Sequence, residues 1–147
     1  MIVFEYLGKL KSKGNYARRM RIKLQYWAKR RIQDKVCDMA HSYGMHVSWI
    51  NPKNTSALAF DGTGKVTRND KKDICEFTTG KKYHADLNAS YNIGARYFIR
   101  ELLNPLSERE RLGYQAKVPD TVARSQQTLS TLISLVKAMQ SQCDCVA

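Results

Sequence analysis

Residues 84–101 read His-Ala-Asp-Leu-Asn-Ala-Ser-Tyr-Asn-Ile-Gly-Ala-Arg-Tyr-Phe-Ile-Arg-Glu. Asp86 precedes Asn88 and Asn92, and the apolar Ala89, Ile93, Tyr97 and Phe98 recur at helical spacing. This pattern predicts a helix held against a core by its apolar stripe, with a carboxylate in its first turn. A carboxylate there can cap the helix or complement its dipole. It can also offer oxygen to a hard cation such as Mg²⁺. The stretch alone leaves both roles open.

Toward the N-terminus, residues 2–7 (Ile-Val-Phe-Glu-Tyr-Leu) form an apolar run interrupted by Glu5 and stopped by Gly8. The run predicts a strand buried on both faces of a parallel sheet. Glu5 is anomalous in such a strand, because a buried carboxylate is costly unless it is paired or binds a metal; the alternative is an edge strand with Glu5 facing water. Lys9 to Gly14 reads as a basic loop, and a long helix is expected from Asn15 to about Tyr43, ending at Gly44. Tyr16, Met20, Leu24, Trp27, Ala28, Ile32, Val36, Met39, Ala40 and Tyr43 form its apolar stripe. Arg18, Arg19, Lys23, Arg30 and Gln33 fall largely off the stripe. Residues 46–50 (His-Val-Ser-Trp-Ile) follow as a second strand, so strand, helix and strand make a βαβ unit. Sites in open parallel sheets form at one end of the strands, which is where Glu5 and Asp86 are expected.

The remaining chain changes character. Residues 53–83 hold two tight turns, at Asp61 to Gly64 and at Thr79 to Lys82, between short β-like pieces at residues 65–68 and 73–77. A charged, irregular connector with Pro105 and Pro119 follows residue 101. An amphipathic helix is then expected over residues 120–142, with Val122, Leu129, Leu132, Ile133, Val136 and Met139 on its apolar face. Packing back on the domain is its default role, with a partner interface as the rival.

Composition narrows the function. The 147 residues carry 25 Lys and Arg against 13 Asp and Glu, a formal net charge of +12. The excess is local: residues 9–35 contain eleven Lys or Arg and the single acid Asp34. A solvated helix would interleave Glu with Lys, so this field points to a polyanion, most commonly nucleic acid. The cysteines, at positions 37, 75, 143 and 145, make neither a disulfide framework nor the paired spacing of a zinc site. No secretory signal or membrane-spanning apolar run is seen, so no membrane association and a cytoplasmic, nucleoid-associated location are expected.

Three motifs together resemble the C-terminal nuclease part of TnpB-type insertion-sequence proteins (the OrfB family) and their relatives, the type V CRISPR effectors. Ile2-Val3-Phe4-Glu5-Tyr6-Leu7 resembles the second RuvC motif. Pro52-Lys53-Asn54-Thr55-Ser56 resembles the Pro-x-x-Thr-Ser lead-in to the family's zinc ribbon. Asp86-Leu87-Asn88-Ala89-Ser90 with Asn92-Ile93 resembles the third RuvC motif. The resemblance implies an α/β architecture. This is a partial RNase H-like (RuvC) fold with a long basic crossover helix, a small β-hairpin insert (a degenerate zinc ribbon) and a C-terminal helix. Its parts would be residues 1–52 with the Glu motif, the ribbon-like insert at 53–83, the Asp-motif helix at 84–102, and a connector and helix at 103–147. It also implies phosphodiester hydrolysis with two Mg²⁺ or Mn²⁺ ions, with Glu5 and Asp86 as catalytic metal ligands.

The departures from the family pattern are equally informative. The family's further Asp, from a strand upstream of the Glu strand, is not in this chain. Ala59 and Gly62 stand at the first pair of zinc-ribbon cysteine positions, and in the second pair Cys75 is joined by Thr78. One thiolate cannot hold a tetrahedral structural zinc, so zinc is not expected. His84 stands where the family carries an acid two residues before the motif Asp. The leading expectation is a fragment or remnant of a transposon-encoded, RNA-guided DNA endonuclease, inactive alone, with DNA and guide RNA as partners. A second is a non-catalytic DNA- or RNA-binding module using Arg18, Arg19, Lys23, Arg30, Lys71, Lys72, Lys81 and Lys82 against phosphates. A third is an assembly piece that completes an upstream fragment of the same element in trans.

Overall fold

The computed structural model describes residues 1–6, 17, 19, 20, 22, 31–71, 73–118 and 126–143. The chain is α/β and divides into two compact units, Met1–Asn51 and Pro52–Ala147.

In the first unit, β1 (Ile2–Glu5) pairs in parallel with β2 (Val47–Ile50), placing Ile2 opposite Val47 and Glu5 opposite Ile50. Parallel strands need a crossover, and α1 (Arg31–Ser42) lies on it. Gly44, at φ +64, closes α1: its N–H donates to the His41 carbonyl, and Met45 N–H donates to the Ala40 carbonyl. Glycine takes that left-handed conformation without a Cβ penalty. The expected helix from residue 15 is described as a continuous element only from Arg31, and Leu7 of the expected first strand lies outside the described residues.

Two expectations are corrected here. β1 is half-buried along its length rather than buried on both faces, while β2 is buried at Val47, Ser48 and Ile50. The helix stripe is also covered only in part. Ala40 is fully buried, but Met20, Ile32, Met39 and Tyr43 are exposed. A sheet of two four-residue strands is too narrow to cover so long a stripe.

The second unit begins with a compact ribbon. Leu58 bridges Lys65, and β3 (Thr67–Arg68), β4 (Ile74–Glu76) and β5 (Lys82–His84) form an antiparallel sheet in sequence order. The hairpin reading of the insert is thus met, with β5 as an addition to it. Ala59, Cys75, Phe77 and Ala85 form its buried core, flanked by Phe60, Val66 and Tyr83. The rings of Phe60, Phe77 and Tyr83 lie 4.9–5.3 Å apart, with both Phe60 pairs edge-to-face, a favoured aromatic geometry.

Helix α2 (Ala85–Leu103) follows β5 without a linker. Its buried residues are Ala85, Asn88, Asn92, Ala95, Tyr97, Ile99 and Leu103, which corrects the expected stripe. Ala89 and Ile93 are half-buried and Phe98 is exposed, while two asparagines occupy the interior. Their carboxamides explain why. Asn88 Nδ2 donates to the Leu58 carbonyl (2.8 Å), and its Oδ1 accepts from Phe60 N–H (3.0 Å). One turn on, Asn92 Nδ2 donates to the carbonyls of Thr55 and Leu58, both at 2.9 Å. Buried amides are tolerated when they make such bonds. Here they fasten residues 55–60 to the helix.

The connector is not irregular throughout: α3 (Glu108–Ala116) occupies it. Ser107 and Glu110 form a reciprocal capping box, a start signal present in the sequence as Ser-x-x-Glu. The C-terminal helix, α4, runs Leu129–Cys143, and residues 119–125 of the expected span lie outside the described residues. Leu135, which the expected apolar face omitted, is fully buried, whereas Ile133 of that face is exposed. Leu135 packs with Ile99, Leu103 and Val118, so α4 folds back on α2.

Two outcomes follow for stability. Asn88→Ala and Asn92→Ala should each destabilise the second unit by about 1–3 kcal/mol, because each strands buried backbone groups. Denaturant melts would show this, with Ser90→Ala, on the exposed side of α2, close to wild type. The second outcome concerns acid. A hydrogen bond from Asn69 holds the Asp73 carboxyl below its ordinary range, and bonds from Ser107 do the same for Glu110. Depressed carboxyls stabilise the fold above their unfolded values and lose that contribution as pH falls through the folded ones. NMR titration should therefore show the 69–74 turn and the start of α3 loosening only after ordinary carboxylates have titrated.

Candidate carboxylate site and basic ribbon

Asp86 sits in the first turn of α2, and the cap is not its own. His84 is the N-cap residue, and its Nδ1 accepts the Asp86 backbone N–H at 3.3 Å. The Asp86 side chain is 95 % exposed, with Oδ2 3.9 Å from His84 Nδ1. The helix dipole favours a negative charge there, and the exposed oxygens are open to a ligand. His84 is exposed and structural at once. Capping, the bland role weighed for Asp86, therefore belongs to its neighbour.

Glu5 is the last residue of β1 and is half-buried. Glu5 belongs to the first unit and Asp86 to the second. Among the described residues no group of three or more His, Cys, Asp or Glu side chains stands together in a way that could hold a metal ion.

Of the basic candidates, Arg19 is helical and exposed, and Lys71 and Lys81 are exposed on the ribbon. Lys82 lies 3.6 Å from Glu76 with both side chains largely in solvent; such a pair contributes little and leaves the ammonium available. Arg18, Lys23, Arg30 and Lys72 lie outside the described residues. The ribbon adds two cations that sequence reasoning did not single out, Lys65 and Arg68, both exposed. Arg68 Nη2 donates to the Ser56 carbonyl at 2.8 Å, fixing its guanidinium beside the Pro-x-x-Thr-Ser turn. Strand alternation could not have found them together, since positions 65 and 68 fall on opposite faces of a strand; their signal was charge alone within a short β-like piece.

The motif residues of the second unit meet. Thr55 is buried, its Oγ1 donates to the Pro52 carbonyl, and its own carbonyl accepts from Asn92. The Pro-x-x-Thr turn and the Asp86 helix are thus one hydrogen-bonded body. Across it, residues 53–83 carry seven Lys or Arg and four acids. Exposed ammonium and guanidinium groups on a small rigid sheet suit a phosphate backbone.

Among the described residues no helix is long and apolar enough to cross a membrane. No curated protein and no solved structure matches the chain. Residues 30–93, somewhat less than half of the chain and running from the basic segment through the ribbon to the first turns of α2, match the family model described as Cas12f1-like, TNB domain.

Proposed function

We propose that the chain is the C-terminal nuclease part of a TnpB-like, RNA-guided DNA endonuclease of a mobile element, working on DNA in the cytoplasm. In this reading the ribbon and the basic segment before it hold nucleic acid, and Glu5 and Asp86 are carboxylate ligands for Mg²⁺ or Mn²⁺. The reading is carried by one observation: the Asp-motif helix holds the end of the Pro-x-x-Thr turn at Thr55 through Asn92, and residues 58–60 just after it through Asn88 and Asn92, within the span that matches the family model.

The chain's own groups divide the work. Arg19, Lys65, Arg68, Lys71, Lys81 and Lys82 neutralise phosphates, giving affinity that is largely independent of sequence and falls with salt. The Asn88 and Asn92 clamp fixes the ribbon against α2, so a backbone held on the ribbon is held at a set distance from Asp86. Asp86, exposed at the helix start, offers oxygen ligands, and Glu5 offers them from its strand end. Mg²⁺ or Mn²⁺ held by such carboxylates would activate a water and stabilise the leaving oxygen. Two carboxylates fall short of the oxygen set such ions take, and the described residues add no cluster to complete it. The chain by itself is therefore read as catalytically silent. That same shortfall favours a second reading, a nucleic-acid-binding module without catalysis.

Binding and cleavage separate the two. The chain alone should bind DNA, and neutralising Arg19, Lys71 and Lys81 together should weaken binding about tenfold or more and flatten the salt slope by about one per charge removed. Unchanged affinity would remove the basic ribbon from the interface. DNA cleavage should appear only when the chain is combined with the upstream part of a TnpB-like protein and Mg²⁺ or Mn²⁺. It should then vanish in Glu5→Ala and in Asp86→Ala. Cleavage that survives both substitutions ends the carboxylate assignment, and persistent silence in the complete assembly leaves the binding module as the function.

A further inference from the structure

We propose that the ribbon is a metal-free fold in which the C-terminal helix α4 holds the first turn closed, in place of a zinc ion. The inference starts from the four positions where a zinc ribbon would place its ligands. They hold Ala59, Gly62, Cys75 and Thr78, which offer one thiol where a tetrahedral structural site takes four nitrogen or sulfur donors. This donor set does not fit zinc.

Each position has instead acquired a contact of another kind. Ala59 and Cys75 are packed in one apolar core with Phe77 and Ala85, and the Cys75 thiol lies within hydrogen-bond range of the Tyr83 carbonyl (3.4 Å). Thr78 Oγ1 donates to the Thr63 carbonyl at 3.1 Å and so ties the second turn to the first. Gly62 is the informative position. Its φ is +84, and a Cβ built there would lie 3.0 Å from Ser130 Oγ and 3.1 Å from Ser130 Cβ. The space into which a ligand side chain at residue 62 would project is occupied by the start of α4.

The helix also bonds to the turn. Ser130 N–H donates to the Phe60 carbonyl at 3.0 Å. First-turn amides of a helix lack partners within it, so this bond satisfies α4 and the ribbon together. Because Phe60 N–H donates to Asn88 Oδ1, the peptide groups on both sides of Phe60 are held, one by α2 and one by α4. Farther along, Leu135 anchors α4 against Ile99, Leu103 and Val118, and Arg96 Nη2 donates to the Gln126 carbonyl. A side chain at position 62 would press on the docked α4 and force Ser130 to shift, so in this proposal a helix contact stands where a metal ligand would.

The test uses the full chain and reads metal content and hydrogen exchange. Purified protein should contain no stoichiometric zinc, and a strong chelator should leave its melting temperature unchanged. Zinc at one equivalent, or a chelator-induced fall in melting temperature, overturns the proposal. Gly62→Ala should lower exchange protection of the Ala59 and Gly62 amides by about tenfold or more, through both the positive φ and the collision with Ser130. Adding Ser130→Gly removes the colliding atoms and should restore a large part of that protection, leaving the loss due to φ alone. Protection unaffected by Gly62→Ala, or a double variant no better than the single one, overturns the helix's role. If Gly62→Ala does not fold, Ser130→Pro, which deletes the N–H donor at a helix-compatible first-turn position, should by itself loosen the Ala59 to Gly64 turn, and an unchanged turn in that variant is equally fatal.

Discussion

The carbonyl oxygen of Leu58 accepts two hydrogen bonds, one from Asn88 and one from Asn92, and the architecture of the second unit depends on that shared acceptor. The two side chains are 0 % and 1 % exposed. At such depth an unmade bond carries the full desolvation penalty of the group, which water cannot relieve. The loop from Thr55 to Phe60 therefore has one place to be, and the ribbon that grows from it inherits a fixed orientation on α2. An apolar pair at the same positions would bury comparable area without naming a register. The amides cost desolvation and return geometric definition.

Around this polar clasp the packing is conventional. One cluster of small and aromatic side chains fills the ribbon, and a second, of Ile99, Leu103, Val118 and Leu135, seals α4 to α2. Neither is large. A sheet of strands two or three residues long cannot bury enough surface to stand alone, so its stability rests on the helices that touch it.

Much of this was legible in the residues. The parallel strands, the Asp86 helix, the hairpin insert and a packed C-terminal helix all follow from periodicity and turn chemistry. What escaped did so for identifiable reasons. Apolar counting assigns the interior of α2 to Ala89 and Ile93, because it gives asparagine no credit for partners far away along the chain. His84 is easily passed over as a cap, since imidazole acts as an acceptor only when one ring nitrogen is unprotonated. The Ser107 to Glu110 box is present in the residues, but the charge and the prolines around it give the segment the look of an irregular connector. On α1, periodicity marked a stripe without knowing how little sheet there was to cover it. Asp86 and the ribbon lysines are visible as chemistry in the sequence. That the asparagines beside Asp86 secure the neighbouring turn is a fact of three dimensions alone.

The direct passage from His84 into Ala85 has a mechanical meaning. With no intervening loop, the last strand of the ribbon and the opening coil of α2 behave as one lever, and the His84 imidazole bracing the Asp86 amide stiffens the elbow between them. A tug on the sheet would not be absorbed by slack chain. It would carry the exposed carboxylate along, so the position of that charge follows the sheet.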